Sequence, residues 1–343
     1  MQALIGPLQE LAEFEAIQKE KQKEAGVLQI SGCVNSQKTH MMYALGDGCK
    51  YRVIACSSES KARQVYEEYH MLDPETYFYP AKDFLFYQAD IRSKELQESR
   101  MTVVQAILEE KPLTVVVSFD AFMDALPVKG AMKDRVIRIE NGQTLDFDEI
   151  RKALAENGYD REEQVGGPGQ FAIRGGILDI YPLTGELPVR IELWGDEVDS
   201  IRSFDTDSQR SVQNLDEAVV YPADELPGRP VKRVSFLEYF PPEDTLVFLD
   251  EPARLVEKGE AVEQEFVEAQ AKRVESGYEV SDDEMELYET AEIVKQMNTY
   301  CCIGLSALDT HGNGFKFRNK FSINTKSVNP YNNSFEMLTR DLK

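Results

Sequence analysis

Two groups of residues in this 343-residue chain have the types and spacing to do chemistry. The first is "SGCVNSQKTH" at 31–40, in which Gly32, Lys38 and Thr39 stand at the spacing of the phosphate-binding loop G-x-x-x-x-G-K-[ST]. In such a loop backbone N–H groups point at the phosphates, the lysine neutralises them and the hydroxyl holds Mg²⁺. Gln37 takes the place of the second glycine, where a side chain hinders close approach of the backbone to phosphate. Farther on, "LVFLDE" at 246–251 is an apolar run ending in Asp250 and Glu251, an acid pair of the kind that positions metal and water in ATPases with this loop. With Gln37 in the loop, the expectation is a vestigial nucleotide site and no ATP hydrolysis.

The second group lies in "VGGPGQFAIRGGILDIYPLTGELPVRIELWGDEVDSIRSFDTDSQRS" at 165–211. Side chains alternate with period two along a strand. Phe171 and Ile173 therefore share one face and Arg174 the other, while Val189, Ile191 and Leu193 turn inward and Arg190, Glu192 and Trp194 line the outer face. An outward Trp among Arg and Glu side chains has the make-up of a protein-binding hot spot. The plainer reading packs Trp194 on a neighbouring domain, with the charges only solvating the surface. Arg202 and Arg210 are expected to pair with nearby acids such as Asp205 and Asp207.

Elements that must position these residues follow from the apolar pattern. Short apolar runs at 27–31, 52–56, 76–80 and 113–119 alternate with helical segments near 38–45, 59–71 and 94–110, after a leading helix over 8–25. That grammar belongs to a parallel sheet covered by helices on both faces, an α/β fold of the P-loop, RecA-like kind. From about 134 the runs become shorter and are punctuated by Gly, Pro and Asp turns around one helix near 147–157, which predicts an inserted antiparallel α+β domain. The expected divisions are 1–133 for the first part of a degenerate P-loop-type domain, 134–222 for the insert, 223–325 for the remainder with acidic helices over 254–297, and 326–343 for the start of a linker or next domain. The segment 219–228 reads as a linker, and nothing after 252 reads as a second motor domain.

Composition narrows the function classes. A net charge of −23, from 38 Lys and Arg against 61 Asp and Glu, opposes autonomous binding of a polyanion such as duplex DNA. Five cysteines without C-x-x-C pairs point to neither a zinc site nor a disulfide framework, and a reducing cytoplasm is the expected setting. His40, His70 and His311 are far apart and read as structural or surface residues. No run reads as a signal peptide or membrane span.

At the second group the sequence resembles the transcription-repair coupling factor (Mfd) family and, more distantly, the excision nuclease subunit UvrB. The resemblance rests on "PGQFAIRGGILDIYP", "RIELWGDEVDSIRSFD" and "DSQRS", with "YPAKDFLFYQADIRSKELQESR" at 79–100 and "LVFLDEP" flanking them, and it extends to about residue 325. UvrB is similar but keeps an intact P-loop and a long aromatic-rich hairpin. Gln37 and the short path from Tyr79 to Ser93 set this chain apart. The resemblance implies a UvrB-like, non-catalytic part of a longer DNA-translocating ATPase, which contacts RNA polymerase and DNA through domains outside this chain. It implies docking on UvrA through Arg174, Arg190, Glu192 and Trp194, with Trp194 where relatives often have Phe and Ala172 where UvrB has Arg. It also implies that a distal domain masks the same face in the full-length protein. The alternative reading is an ATP-dependent DNA-processing enzyme of the UvrB or helicase type.

Overall fold

The structure, a computed structural model, describes residues 2–22, 25–34, 36–82, 94–225, 231–275, 287–309, 311, 313–324 and 334–341. The stretch 83–93, to which the missing-hairpin expectation refers, lies outside them, as does most of 326–343. Seven strands form one parallel sheet in the order Phe317–Ser322, Gly26–Ser31, Cys301–Ser306, Thr245–Asp250, Tyr51–Cys56, Leu113–Ser118, Thr76–Tyr79. Except in the edge strand Phe317–Ser322, which is polar and partly exposed, the runs are predominantly apolar because both faces are covered. Period two then divides each run between two cores. Val27, Val53, Ala55, Val115, Val117, Val247 and Leu249 belong to one, while Leu28, Ile30, Ile54, Val116, Leu246 and Phe248 belong to the other.

Helices follow from local signals. Ser58 caps Glu59–His70 by accepting from the Lys61 N–H at 3.2 Å, and Asp146 caps Phe147–Glu156 by accepting from Asp148 and Glu149. The leading helix expected over 8–25 is instead two helices, Gln2–Gln9 and Ala12–Lys21, because Leu11 is extended and its N–H closes a turn on the Leu8 carbonyl. Of the two acidic helices expected over 254–297, Pro252–Glu275 is long. Thr290–Met297 is short, since the chain turns after it into Cys301–Ser306, a central strand that the sequence reading did not anticipate. Gly304 on that strand is required by close approach: a Cβ there would lie 2.7 Å from Gln29 Oε1 and 2.8 Å from Pro252 Cγ.

The insert is a six-stranded sheet in the order Ser211–Leu215, Glu197–Phe204, Val189–Trp194, Ile177–Tyr181, Gln170–Arg174, Asp160–Arg161. Its pairs are antiparallel except the last. One face buries Phe171, Leu178, Ile180, Ile191 and Ile201 in the same cluster as Leu154 of Phe147–Glu156 and the core on one side of the parallel sheet. Two short antiparallel ribbons tie the insert's ends, Ala125–Pro127 with Arg233–Ser235 and Ile137–Glu140 with Glu217–Val220. The described part of the 219–228 segment is therefore not a free linker: it begins in a strand, and Glu225 is buried.

Glu225 meets Arg100, which is 1% exposed. Arg100 Nε and Nη2 donate to the Glu225 carboxylate at 2.9–3.1 Å, and Nη1 donates to Asp124 at 2.6 Å and to the Pro80 carbonyl at 2.7 Å. Lys82 and the Tyr79 hydroxyl also reach Glu225, at 2.9 and 2.8 Å. Arg100 lies 4.2 Å above the Tyr79 ring, which in turn stacks on Phe236 at 3.7 Å. The cluster thereby joins the edge strand, the helix Lys94–Leu108 and the chain leaving the insert.

Candidate functional site

The phosphate-loop residues come together, but they are bonded to one another and to neighbours. Lys38, on the helix Ser36–Leu45, donates to Asp250 Oδ1 at 2.6 Å and to Glu251 Oε1 at 2.7 Å, and Glu251 also accepts from the Ala307 N–H at 2.9 Å. Burial opposes the Lys38 charge, yet Asp250 and Glu251 outweigh it and hold its ammonium above the usual lysine range. Thr39 donates its hydroxyl to Glu68 at 2.8 Å. Gln37 folds back, with its amide oxygen 3.4 Å from the Val34 N–H.

Gly32 has φ +87°, and a Cβ there would sit 1.9 Å from the Ile323 carbonyl oxygen, because Ile323 closes over the loop and donates its N–H to Ser31. Gly32→Ala is expected to cost about 1–3 kcal/mol, read as a lower urea midpoint. An unchanged midpoint would mean that Ile323 yields freely.

The outer face of the inserted sheet is organised by register. Ala172, Asp179, Arg190, Arg202 and Asn214 stand directly opposite one another across five strands, and Arg174, Ile177, Glu192 and Ser200 form the next row. Arg190 and Arg202, like charges on paired positions, would repel. They turn apart: Arg190 grips Asp179, with Nε to Oδ1 at 2.7 Å and Nη2 to Oδ2 at 2.8 Å, while Arg202 grips Glu192, with Nη1 to Oε2 at 3.0 Å and Nη2 to Oε1. Arg202 thus does not pair with Asp205 or Asp207 as expected; Asp205 accepts from Ser208 instead, because Arg202 shares a sheet face with Glu192.

Asp179 is 1% exposed and also accepts from Arg174 Nη2 at 2.7 Å. Arg190 donates to Gln209 at 2.8 Å and lies 4.2 Å above the Phe204 ring. Its hydrogen bonds to Asp179 hold its guanidinium above the ordinary range despite partial burial. The side chains of the proposed contact residues are therefore unequal: Trp194 is 84% exposed, Arg174 43%, Glu192 32% and Arg190 only 12%. Ala172 is buried in a small cluster with Val165 and Phe204.

Asp179, Gln209 and Phe204 were not singled out by sequence reasoning. Asp179 did leave a signal, as a lone acid between Leu178 and Ile180 in a strand flanked by Arg-bearing strands.

The profile of the UvrB interaction domain family matches residues 137–226, which hold this whole face. The chain is similar to a transcription-repair-coupling factor of Bacillus subtilis strain 168, with 39% identity over 166 residues, which is 48% of this chain and 14% of that protein. Proteins of the same name from Staphylococcus haemolyticus and Staphylococcus aureus RF122 are 38% and 35% identical over 146 and 143 residues, 43% and 42% of this chain and 12% of each relative. The matched stretch is thus a small fraction of the length of these relatives. Among the described residues no helix is long and apolar enough to cross a membrane.

Proposed function

We propose that this chain, whose residues 137–226 match the UvrB interaction domain and which is similar to transcription-repair-coupling factors, is a UvrB-like, non-catalytic recruitment module that docks on UvrA. In that role it brings nucleotide excision repair to stalled RNA polymerase. The observation that carries the reading is the outer face of the inserted sheet. There an exposed indole at Trp194 ends the strand that carries Arg190 and Glu192, members of the Arg174–Asp179–Arg190 and Arg202–Glu192 clusters, the aromatic and guanidinium composition of protein interfaces. Titration of the purified chain with UvrA tests it. A saturable complex is expected, and no complex under conditions where both proteins are folded overturns the reading.

The nucleotide loop takes no catalytic part in this proposal. Lys38 is committed to Asp250 and Glu251, and the Thr39 hydroxyl to Glu68, so the four groups that would serve phosphate and metal, Lys38, Thr39, Asp250 and Glu251, are already bonded inside the protein. The same Lys38–Asp250 juxtaposition is also what would favour an ATP-dependent DNA-processing enzyme. Phosphate release with ATP and DNA decides between the two: the expected rate is at background and unchanged by Lys38→Ala. Turnover that Lys38→Ala abolishes would establish the enzymatic reading.

A further inference from the structure

The two arginines that grip Asp179 are not equivalent. An arginine has five N–H donors in a rigid fork. Arg190 spends Nε and both Nη2 protons on Asp179 and Gln209, rests on Phe204 and is 12% exposed. Arg174 spends one Nη2 proton on Asp179 and is 43% exposed. One buried carboxylate faces two guanidinium groups, so the cluster carries a surplus positive charge. The neighbouring Arg202–Glu192 pair is neutral as a unit. The surplus is presented at the outer edge of Arg174, within a chain whose net charge is −23.

We propose that Asp179 is the positioning residue of this face: it locks Arg190 as scaffold and holds Arg174 with its outer fork free to take a carboxylate of the docking partner. The proposal rests on the UvrA-docking reading above. Pre-ordering matters because a long side chain that is already held loses less freedom on binding. Arg190 then acts through Arg174 and is not itself the contact. A lysine cannot replace Arg174, since an ammonium cannot both hold Asp179 and offer a planar pair of donors.

The test titrates UvrA with the wild-type chain and with Asp179→Asn, Arg174→Ala, the double variant, Arg174→Lys and Trp194→Ala. Asp179→Asn and Arg174→Ala are each expected to weaken binding about 10-fold or more, and the double variant to be little weaker than either alone, since both remove the same positioned fork. Arg174→Lys is expected to lose nearly as much as Arg174→Ala. If Trp194→Ala and Arg174→Ala leave binding unchanged, UvrA docks elsewhere and the docking face assigned above fails. If they weaken it while Asp179→Asn binds as wild type, or the two losses multiply in full, the positioning proposal fails alone, and full affinity of Arg174→Lys removes the carboxylate fork.

Should Asp179→Asn not fold, side-chain NMR of the wild-type chain carries the test. Slow exchange of the Arg190 Nε–H and hindered rotation of the Arg174 guanidinium are expected, and free rotation of both overturns the proposal.

Discussion

Arg100→Met is expected to lower the unfolding free energy by about 3–5 kcal/mol, the cost of removing one partner from a buried ion cluster. The substitution keeps most of the side-chain volume, so the loss is not a cavity effect. It strips Glu225 of its bidentate partner and Asp124 of its only side-chain ion pair among the described residues, where Lys82 is then the one cation left on Glu225. Urea unfolding of the two proteins measures the effect, and a difference below about 1 kcal/mol would mean that the cluster behaves as a solvated surface pair.

Acid sensitivity should change with it. Burial by itself would raise the Glu225 carboxyl, but Arg100 and Lys82 override it and bring it down to about 2. A depressed carboxyl contributes stability that is fully present above the unfolded value of roughly 4.3 and is lost as pH falls through the folded one. Asp124 runs the other way, since burial lifts its carboxyl despite Arg100 and its charge costs stability that acid relieves. The wild type is therefore expected to lose the Glu225 contribution between about pH 4 and pH 2. Arg100→Met flattens that loss because less of it is there to lose. An equally steep acid loss in both proteins would rule out Arg100 as the cause.

If the chain docks on UvrA as proposed, Arg174→Ala combined with Trp194→Ala is expected to weaken that binding by about 100-fold or more. A central aromatic or arginine of a hot spot is worth about 2 kcal/mol or more when truncated, and the two need not add fully. Trp194 is 84% exposed and Arg174 is the more open of the two guanidinium groups on Asp179, so truncation removes contact surface with little change to the core. The thermal midpoint of the double variant should stay near that of the wild type while its affinity falls. Unchanged affinity would place the docking surface elsewhere.

Much of the architecture was legible in the chain. Runs such as "VLQIS", "RVIAC" and "LTVVVSF" read as parallel strands because both faces are covered and the residues are predominantly apolar, with Gln29 the buried polar exception in the first. Strict alternation in "PVRIELW" put Ile191 inside and Trp194 outside, since a strand has a period of two whatever surrounds it. The strand Cys301–Ser306 was missed, although it is as long as the strands that were read, because it carries Gly304, whose need arises only from Gln29 and Pro252, far away in sequence.

What residues 165–211 determined by themselves was the face on which each charged side chain lies, a property of local backbone geometry. Which charges meet was decided by tertiary structure alone. Register across four strands set Asp179 between Arg174 and Arg190 and sent Arg202 to Glu192 instead of its sequence neighbours, and fold closure brought Lys38 onto Asp250 and Arg100 onto Glu225. Ion pairs form between groups adjacent in space, and separations of 212 and 125 residues leave no local pattern from which such adjacency could be read.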